Sequence, residues 1–361
     1  MRAATLLLAA LSLSPLACVP TAAPPQHFGD EPRRIAVALE EEGAVALVSA
    51  TSGELLGKLS LEDAGLHYHV HNVQGAPDGR MVWATALPDD HSGTGEGHEG
   101  MSMEDEQLIG IDTVDFAVVK RIPLGPMLHS AHVVTDGSTA WVSAKDGNTV
   151  LEVDLEAGEV TRSFELPAGT GPHGVRRTPD GTRLILAGWD GHSLGVLDLE
   201  SGTTTVHDVG GIAVQSAVLP DGSAAFVTVY DTKQVARLDL VTNELVRFDL
   251  PAGAAGPVQL YPTPDSTGIW VADQGFVDGD PAGDSLYRLD AVTGETTLTA
   301  KVSPAPHGVV VSSDGTEVWT TTLHDGTVDR VEGRTGERVS VTPVGSGPNG
   351  ISCLHEDGAM P

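Results

Sequence analysis

Four of the fourteen histidines stand at one recurring position of the chain. Each lies seven residues before the aspartate of a short turn motif, and the four are His71, His129, His173 and His307. Imidazole nitrogens that converge from separate repeats can bind a late first-row transition metal, and zinc and copper both suit such ligands. The pattern predicts a metal or small-ligand site at these four histidines, with His69 beside His71 as a further ligand. Hydrogen bonding of each ring to neighbouring backbone is the alternative.

A second group of metal-ligand side chains falls in a long turn between Pro88 and Glu106. It carries His91, His98, Met101 and Met103 among several carboxylates. Imidazole together with thioether suits copper, whereas carboxylates alone would suit Ca²⁺. We expect this segment to act as a lid or delivery arm for the metal site. The alternative is a solvated acidic loop.

The elements that position the histidines come from a repeat of about 40 residues, a period typical of stacked units. The clearest copy runs from Gly171 to Val209, where three turn signals separate four short runs of β-favouring residues. Six copies are complete. Residues 34–61 supply three more strands, and residues 347–354 supply one inner strand that would complete them. The chain is therefore predicted to be all-β: a seven-bladed β-propeller of four-stranded antiparallel blades, in which the N-terminal strands pair with the C-terminal inner strand and leave no free edge.

This architecture predicts which end of the ring carries the chemistry. In a four-stranded blade, the turn between the second and third strands lies on the same rim as the start of the first strand. The four recurring histidines, two histidines in second turns and several polar side chains should therefore share one face. The further candidates for ligand binding there are His192, His324, Gln215, Gln259, Asn349 and Trp189.

Two phrases, GPHGVRRTPDGTRLILAG from Gly171 and PHGVVVSSDGTEVWTTT from Pro306, resemble the YVTN-type seven-bladed β-propeller family. The resemblance covers nearly everything from Arg34 onward. It implies the propeller fold, and it implies little about function because this scaffold carries many unrelated activities. Related propellers include lactonases and lyases, and a Pro-His-Gly start of the inner strand is common in such proteins whatever they do.

The first residues predict export. Residues 1–17 combine Arg2, an apolar stretch of signal-peptide length and small residues at its end. Cys18 stands where a bacterial lipoprotein carries its lipid, although Pro15 departs from the usual aliphatic residue. Simple secretion is the alternative. Residues 18–33 are expected to be a flexible tether, residues 34–354 the propeller and residues 355–361 a C-terminal tail.

The formal charge of −30 is spread over the turns, and such a surface repels nucleic acids and anionic membranes. We expect membrane attachment only through lipid, a location in the periplasm or at the cell surface, and a monomer. Cys353 is expected to be a buried, unreactive thiol. Two function classes remain open. One is a binding protein for a metal ion, a small ligand or another envelope protein. The other is a metal-dependent redox enzyme, or a lactonase or lyase, that uses the same face.

Overall fold

The structure, a computed structural model, describes residues 27–28, 31, 33–89 and 104–354. Within these ranges the chain forms 28 β-strands and one turn of 3-10 helix, Val277–Gly279. The strands make seven four-stranded antiparallel sheets arranged as a propeller. The predicted fold class is confirmed.

We number the blades from the first complete repeat. Blade 1 contains β4 His67–Gly75, β5 Met81–Asp89, β6 Glu106–Asp112 and β7 Ala117–Gly125. Blade 2 contains β8 Ser130–Thr135, β9 Thr139–Ala144, β10 Thr149–Asp154 and β11 Glu159–Glu165. Blade 3 contains β12 Pro172–Arg177, β13 Arg183–Gly188, β14 Ser193–Asp198 and β15 Thr204–Asp208. Blade 4 contains β16 Ala213–Val218, β17 Ala224–Val229, β18 Gln234–Asp239 and β19 Leu245–Asp249. Blade 5 contains β20 Pro257–Pro262, β21 Gly268–Gly275, β22 Ala282–Asp290 and β23 Thr296–Lys301. Blade 6 contains β24 Pro306–Val311, β25 Glu317–Thr322, β26 Thr327–Glu332 and β27 Arg338–Pro343. Blade 7 contains β1 Arg34–Leu39, β2 Ala44–Ser49, β3 Leu55–Ser60 and β28 Pro348–Leu354.

Blade 7 closes the ring in the predicted way. Its strand order is β28-β1-β2-β3, and the antiparallel register pairs Arg34 with Leu354 and Val37 with Ile351. The last strand of the chain is therefore the inner strand of the blade that the first strands begin.

Aspartates fix the turns between the third and fourth strands. The Asp154 carboxylate accepts the backbone N–H groups of Glu156 and Ala157 at 2.9 and 2.7 Å, and Asp239 and Asp290 make the same pair of bonds in their own blades. These turns also need one residue in the left-handed region. Glycine fills that position in most blades, as at Gly158 with φ 76°, and Asn243 fills it in blade 4 with φ 60°.

The apolar core lies between neighbouring blades. One cluster joins Ile185 and Ala187 of blade 3 to Val227 and Ala236 of blade 4, and corresponding clusters fill the other junctions. Inner strands such as β8 and β28 are wholly buried, whereas an outermost strand such as β11 is largely exposed. A single blade could not bury its faces alone, so the stability of the fold depends on the whole ring.

No helix in the described part of the chain is long and apolar enough to span a membrane. The predicted signal peptide, Cys18, the C-terminal tail, and His91, His98, Met101 and Met103 of the long turn lie outside the described residues. Cys353 is buried, with 4% of its surface exposed, and burial raises the pKa of its thiol to about 12. This agrees with the expected unreactive thiol.

Candidate metal centre

Every inner strand is interrupted by a β-bulge at the level where the recurring histidines occur. In blade 3 the register jumps between Pro172 and Val175, so His173 lies within the irregular stretch, and in blade 1 it jumps between Val70 and Asn72, around His71. The inner strands of the other five blades shift register at the corresponding place. A bulge inserts one residue and turns its side chain away from the regular alternation. His71 and His173 therefore occupy positions that the bulges re-orient, whereas His129 precedes the irregular stretch of blade 2, which contains Ala131 and His132.

Hydroxyl groups on second strands link these bulges to the next blade. Thr85 in blade 1 accepts the Asn72 N–H and donates to the carbonyl of Ala131 in blade 2, both at 3.1 Å. Ser143 in blade 2 accepts the His132 N–H and donates to the carbonyl of His173 in blade 3. Each hydroxyl accepts a hydrogen bond from one backbone N–H and donates one to a backbone carbonyl, and the β-bulge would otherwise leave both groups without a partner. The backbones that carry the histidines of blades 1 to 3 are thereby held in a fixed relation.

His129 has a backbone conformation that non-glycine residues rarely adopt, with φ 48°. The buried Glu106 carboxylate holds this turn by accepting three consecutive backbone N–H groups, from Leu128, His129 and Ser130, at 2.6 to 2.7 Å. Three such bonds to one carboxylate compensate the strain of the left-handed residue. Glu106 therefore acts as a positioning residue for His129.

His71, His129 and His173 form a compact group, which we call the histidine triad. All three are buried, and one ring nitrogen from each lies within 4.8 Å of those of the other two. The ring centroids of His71 lie 5.7 Å from His129 and 5.2 Å from His173. Three nitrogens at this spacing need only small side-chain movements to reach the ~2.0–2.1 Å bonds of a zinc ion. The triad can hold a transition metal.

Two of these rings are already prepared for a metal. His173 Nδ1 lies 2.8 Å from the carbonyl oxygen of Val214, so Nδ1 carries the proton and donates, and Nε2 keeps its lone pair. Metal-binding histidines are commonly oriented by such a bond through the other ring nitrogen. His71 Nδ1 is buried without a hydrogen-bond partner in the described chain, and a buried polar atom in that state calls for a ligand.

A fourth buried histidine, His132, lies against the triad and was missed by sequence reasoning. Its ring centroid is 5.0 Å from that of His173 and 5.6 Å from that of His71. The Gln215 side chain crosses from blade 4 and places its Nε2 3.1 Å from His132 Nδ1. Gly174 makes the crossing possible, since a Cβ there would come within 2.3 Å of Gln215 Oε1. No spacing rule marks His132 in the sequence, since it lies with Ala131 in the irregular stretch between Ser130 and Val133.

His307 does not join the triad. It belongs to blade 6, whereas the triad comes from the consecutive blades 1, 2 and 3, so His307 stands on the other side of the channel. Its Nδ1 hydrogen-bonds to Gln274 Oε1 of blade 5. The four histidines predicted to converge therefore separate into a group of three and one residue across the channel.

The other candidate ligands at the mouth have partners of their own. His69 is half-buried, and its Nε2 lies 3.5 Å from the Asp89 carboxylate. Within the triad, His129 Nδ1 lies 3.8 Å from an Asp146 carboxylate oxygen. Trp189 packs against the triad, with its ring tilted 45° to that of His173 and the two centroids 5.2 Å apart.

Four polar candidates occupy two different settings. His192 and His324 are exposed on the rim and do not belong to the triad. Gln259 and Asn349 are buried at the bulges of blades 5 and 7; Asn349 donates to Glu40, whereas Gln259 Nε2 has no partner in the described chain. The buried pair lies on inner strands, whereas the exposed pair lies outside the buried histidine group.

Burial keeps the central imidazoles neutral. Desolvation, together with the neighbouring histidines, lowers the pKa of His132 and His173 well below the usual 6.5, and desolvation lowers the pKa of His307 to about 4. Neutral imidazole is the form that binds metals, so protons should begin to compete at His173 only well below pH 6.5.

The metal-free protein should lose stability in mild acid. A histidine whose pKa is depressed by folding contributes stability above pH 6.5, and this contribution falls as pH drops toward the folded pKa, because the unfolded chain takes up the proton first. For His132, His173 and His307 we expect a loss of up to about 1.4 kcal/mol per pH unit for each histidine. Urea unfolding at pH 7.5, 6.5 and 5.5 measures the slope. His307→Gln should reduce it and the exposed His192→Gln should not; a free energy of unfolding that stays constant over this range contradicts the assignment.

A cavity of about 420 Å³ lies away from the triad, beside blades 4 and 5. It is bordered by residues 249–255 and by the ion pair of Lys233 and Asp280. None of the histidines lines it. The buried histidines therefore favour the channel mouth over this cavity as the functional site.

Comparison with known proteins places the fold and leaves the function open. No family model matches the chain, and no curated protein matches it. Among solved structures, hydrazine synthase of Kuenenia stuttgartiensis matches with a TM-score of 0.68 and 15% identity over 90% of this chain and 100% of the other. A streptogramin B lyase matches with a TM-score of 0.63 and 18% identity over 83% and 94%. A catalytically inactive variant of virginiamycin B lyase from Staphylococcus aureus, with quinupristin, gives 0.64 and 15% over 83% and 96%. At these identities the likeness concerns the propeller alone.

Proposed function

We propose that this protein is an exported β-propeller that binds a divalent transition metal ion, zinc or copper, at His71, His129 and His173. The observation that carries the proposal is the spacing of the three buried rings, whose ligand atoms lie within 4.8 Å of one another. Zinc and copper(II) both accept sets of imidazole ligands, whereas Ca²⁺ and Mg²⁺ prefer oxygen.

The surroundings of the triad support this proposal. The Val214 carbonyl fixes one tautomer, Glu106 fixes the turn that carries His129, and Ser143 ties blade 2 to blade 3 beneath the rings. Such outer contacts hold ligands in place before the metal arrives and lower the cost of ordering them. Three protein ligands leave a further coordination position open for water or for a ligand of the metal.

Metal analysis tests the proposal directly. Protein purified without a polyhistidine tag should contain close to one zinc or copper ion per chain, and the metal-free form should bind Zn²⁺ or Cu²⁺ with one-to-one stoichiometry in a calorimetric titration. Titration with Ca²⁺ under the same conditions is the control for attraction by the net charge of −30. If Zn²⁺, Cu²⁺ and Ca²⁺ bind with equal affinity, the binding is due to the negative surface charge alone, and the proposal is overturned.

The proposed location rests on residues 1–18, whose pattern is that of an export signal followed by a lipidated cysteine. We expect Cys18→Ala to move the protein from the membrane fraction to the soluble fraction, because the lipid is its only proposed attachment. Cys353→Ala is the matched control, since that thiol is buried in blade 7 and its loss should leave the protein with the membrane. Intact-mass analysis of membrane-extracted protein is decisive: an unmodified N-terminus that retains Met1 rules out both cleavage and acylation.

An enzyme on the same face is the second candidate. The observation that favours it is that three histidines converge, because three protein ligands would leave a coordination position open, as in catalytic zinc sites. A metal-dependent redox enzyme, or a lactonase or lyase, would use that position for substrate or for an activated water. Turnover that appears with the metal and disappears with the triad would select this class over a binding protein.

A further inference from the structure

The channel next to the histidine triad contains a guanidinium that has no carboxylate partner. Arg176 lies three residues after His173 on β12, and its only protein hydrogen bond within the described chain runs from Nη1 to the Val175 carbonyl at 2.9 Å. Protein surrounds it on all sides, yet part of its surface remains accessible, so it borders the channel. Its neighbour Arg177 shows the contrast: that residue pairs with Asp136 at 3.4 Å and packs on Trp141.

An unpaired cation in such a place is costly. Removing a charged group from water without a counter-charge disfavours the folded state, and natural proteins usually pair a buried guanidinium with a carboxylate. Burial accordingly lowers the pKa of Arg176, and no carboxylate opposes this effect. The protein carries 50 acidic residues and leaves this arginine without one, so the position favours an anion from outside.

His132 adds a second donor on the inner strand of the neighbouring blade 2. Arg176 is close enough to His132 that its positive charge helps to lower the pKa of that imidazole. Gln215 Oε1 accepts the Ser216 N–H at 2.9 Å, which assigns the amide nitrogen to His132 Nδ1. His132 Nδ1 is then an acceptor, and the proton is on Nε2. That N–H is buried, with the residue 1% exposed, and it has no acceptor in the described chain.

A third unused donor lies in blade 5. Gln259 Nε2 is buried without a partner in the described chain, two residues before Tyr261, whose hydroxyl is close enough to influence Arg176 electrostatically. Unused donors thus occur on the inner strands of blades 2, 3 and 5. A guanidinium offers paired N–H groups that match two oxygens of one anion, and neutral N–H groups can take a further oxygen.

We propose that the channel beside the triad binds a small carboxylate or other oxyanion, with Arg176 and the His132 Nε2–H as its principal donors. This site is distinct from the metal site and does not require it. An anion bound there would lie beside the His132 ring, whose centroid is 5.0 Å from that of His173.

The test uses the full-length protein in both metal-free and zinc-loaded forms, titrated calorimetrically with acetate, bicarbonate and inorganic phosphate. We expect at least one anion to bind the wild-type protein, Arg176→Gln to weaken it by about 10-fold or more, and Arg176→Lys to weaken it less. Arg177→Gln is the matched control, because it removes the same charge from the adjacent residue of the same strand, and it should change the affinity by less than about twofold.

Two results overturn the proposal. One is the failure of all three anions to bind either form of the wild-type protein, and the other is an equal loss in Arg176→Gln and Arg177→Gln. Thermal unfolding of each variant separates a lost site from a lost fold. Because the metal-free form is measured separately, failure of the anion site leaves metal binding unaffected, and failure of metal binding leaves the anion site standing.

Discussion

Replacement of both His129 and His173 by alanine should abolish tight binding of Zn²⁺ and Cu²⁺ while the propeller stays folded. The two side chains supply two of the three nitrogens that lie within 4.8 Å of one another, and one remaining imidazole cannot chelate. We expect the affinity to fall by roughly a thousandfold or more, since ligand bonds provide most of the binding free energy at such sites. Calorimetric titration of the metal-free wild-type and variant proteins measures the difference.

Two further variants are controls for this prediction. The exposed pair His192→Ala and His324→Ala removes two histidines from the same rim and should leave the affinity within a few-fold of wild type. His307→Ala should behave in the same way, because that residue is across the channel and bonded to Gln274. If wild-type protein binds metal no more tightly than the His129 and His173 double variant, these histidines are structural residues and the face serves a docking or small-ligand role.

Ending the chain at Ser346 should destroy the cooperative fold. The deletion removes β28, whose Ile351, Cys353 and Leu354 are buried against the neighbouring blades, and exposes the edge of β1. Loss of each large buried side chain costs about 2–5 kcal/mol, and the whole strand therefore approaches the total stability of a typical domain, about 5–15 kcal/mol. We expect aggregation or a broad unfolding transition at much lower temperature.

The matched control for this truncation ends the chain at Leu354. It removes only residues 355–361, which follow the last strand, and should retain the melting temperature of the full chain. Calorimetric melting and size-exclusion chromatography compare the two. A protein ending at Ser346 that remains soluble, monomeric and as heat-stable as the full chain would contradict the role assigned to β28.

The repeat made the fold predictable in detail. Turn aspartates such as Asp180 and Asp314 mark each blade, and the incomplete repeats at the two ends required a shared blade, which the pairing of Arg34 with Leu354 confirms. Such local signals suffice because each blade repeats the same backbone and each turn needs the same hydrogen-bond acceptors.

The site was only partly predictable, because a turn aspartate does not mark the same register in every blade. The first turn of blade 2 is two residues shorter than that of blade 3, so Ala131, and not His129, lies at the bulge position that His173 occupies. His71, His129 and His173 still meet, since their blades are consecutive, whereas His307 comes from blade 6, which adjoins none of them. His132 could be found only by knowing that a bulge alters which residues share a face. The strained turn at His129 and its fixation by Glu106 depend on contacts between blades that no local pattern records.

The pairing of the first strand with the last also orders events in time. Strand β1 is made before the other described strands and β28 after them, so blade 7 has no inner strand until residues 348–354 have been synthesised. Contacts between such distant segments form slowly, and the edge of β1 stays open to wrong partners in the meantime. Closure of the ring therefore requires that all seven blades have been made: a polypeptide that stops before β28 keeps the exposed edge of β1 and is available to chaperones and proteases.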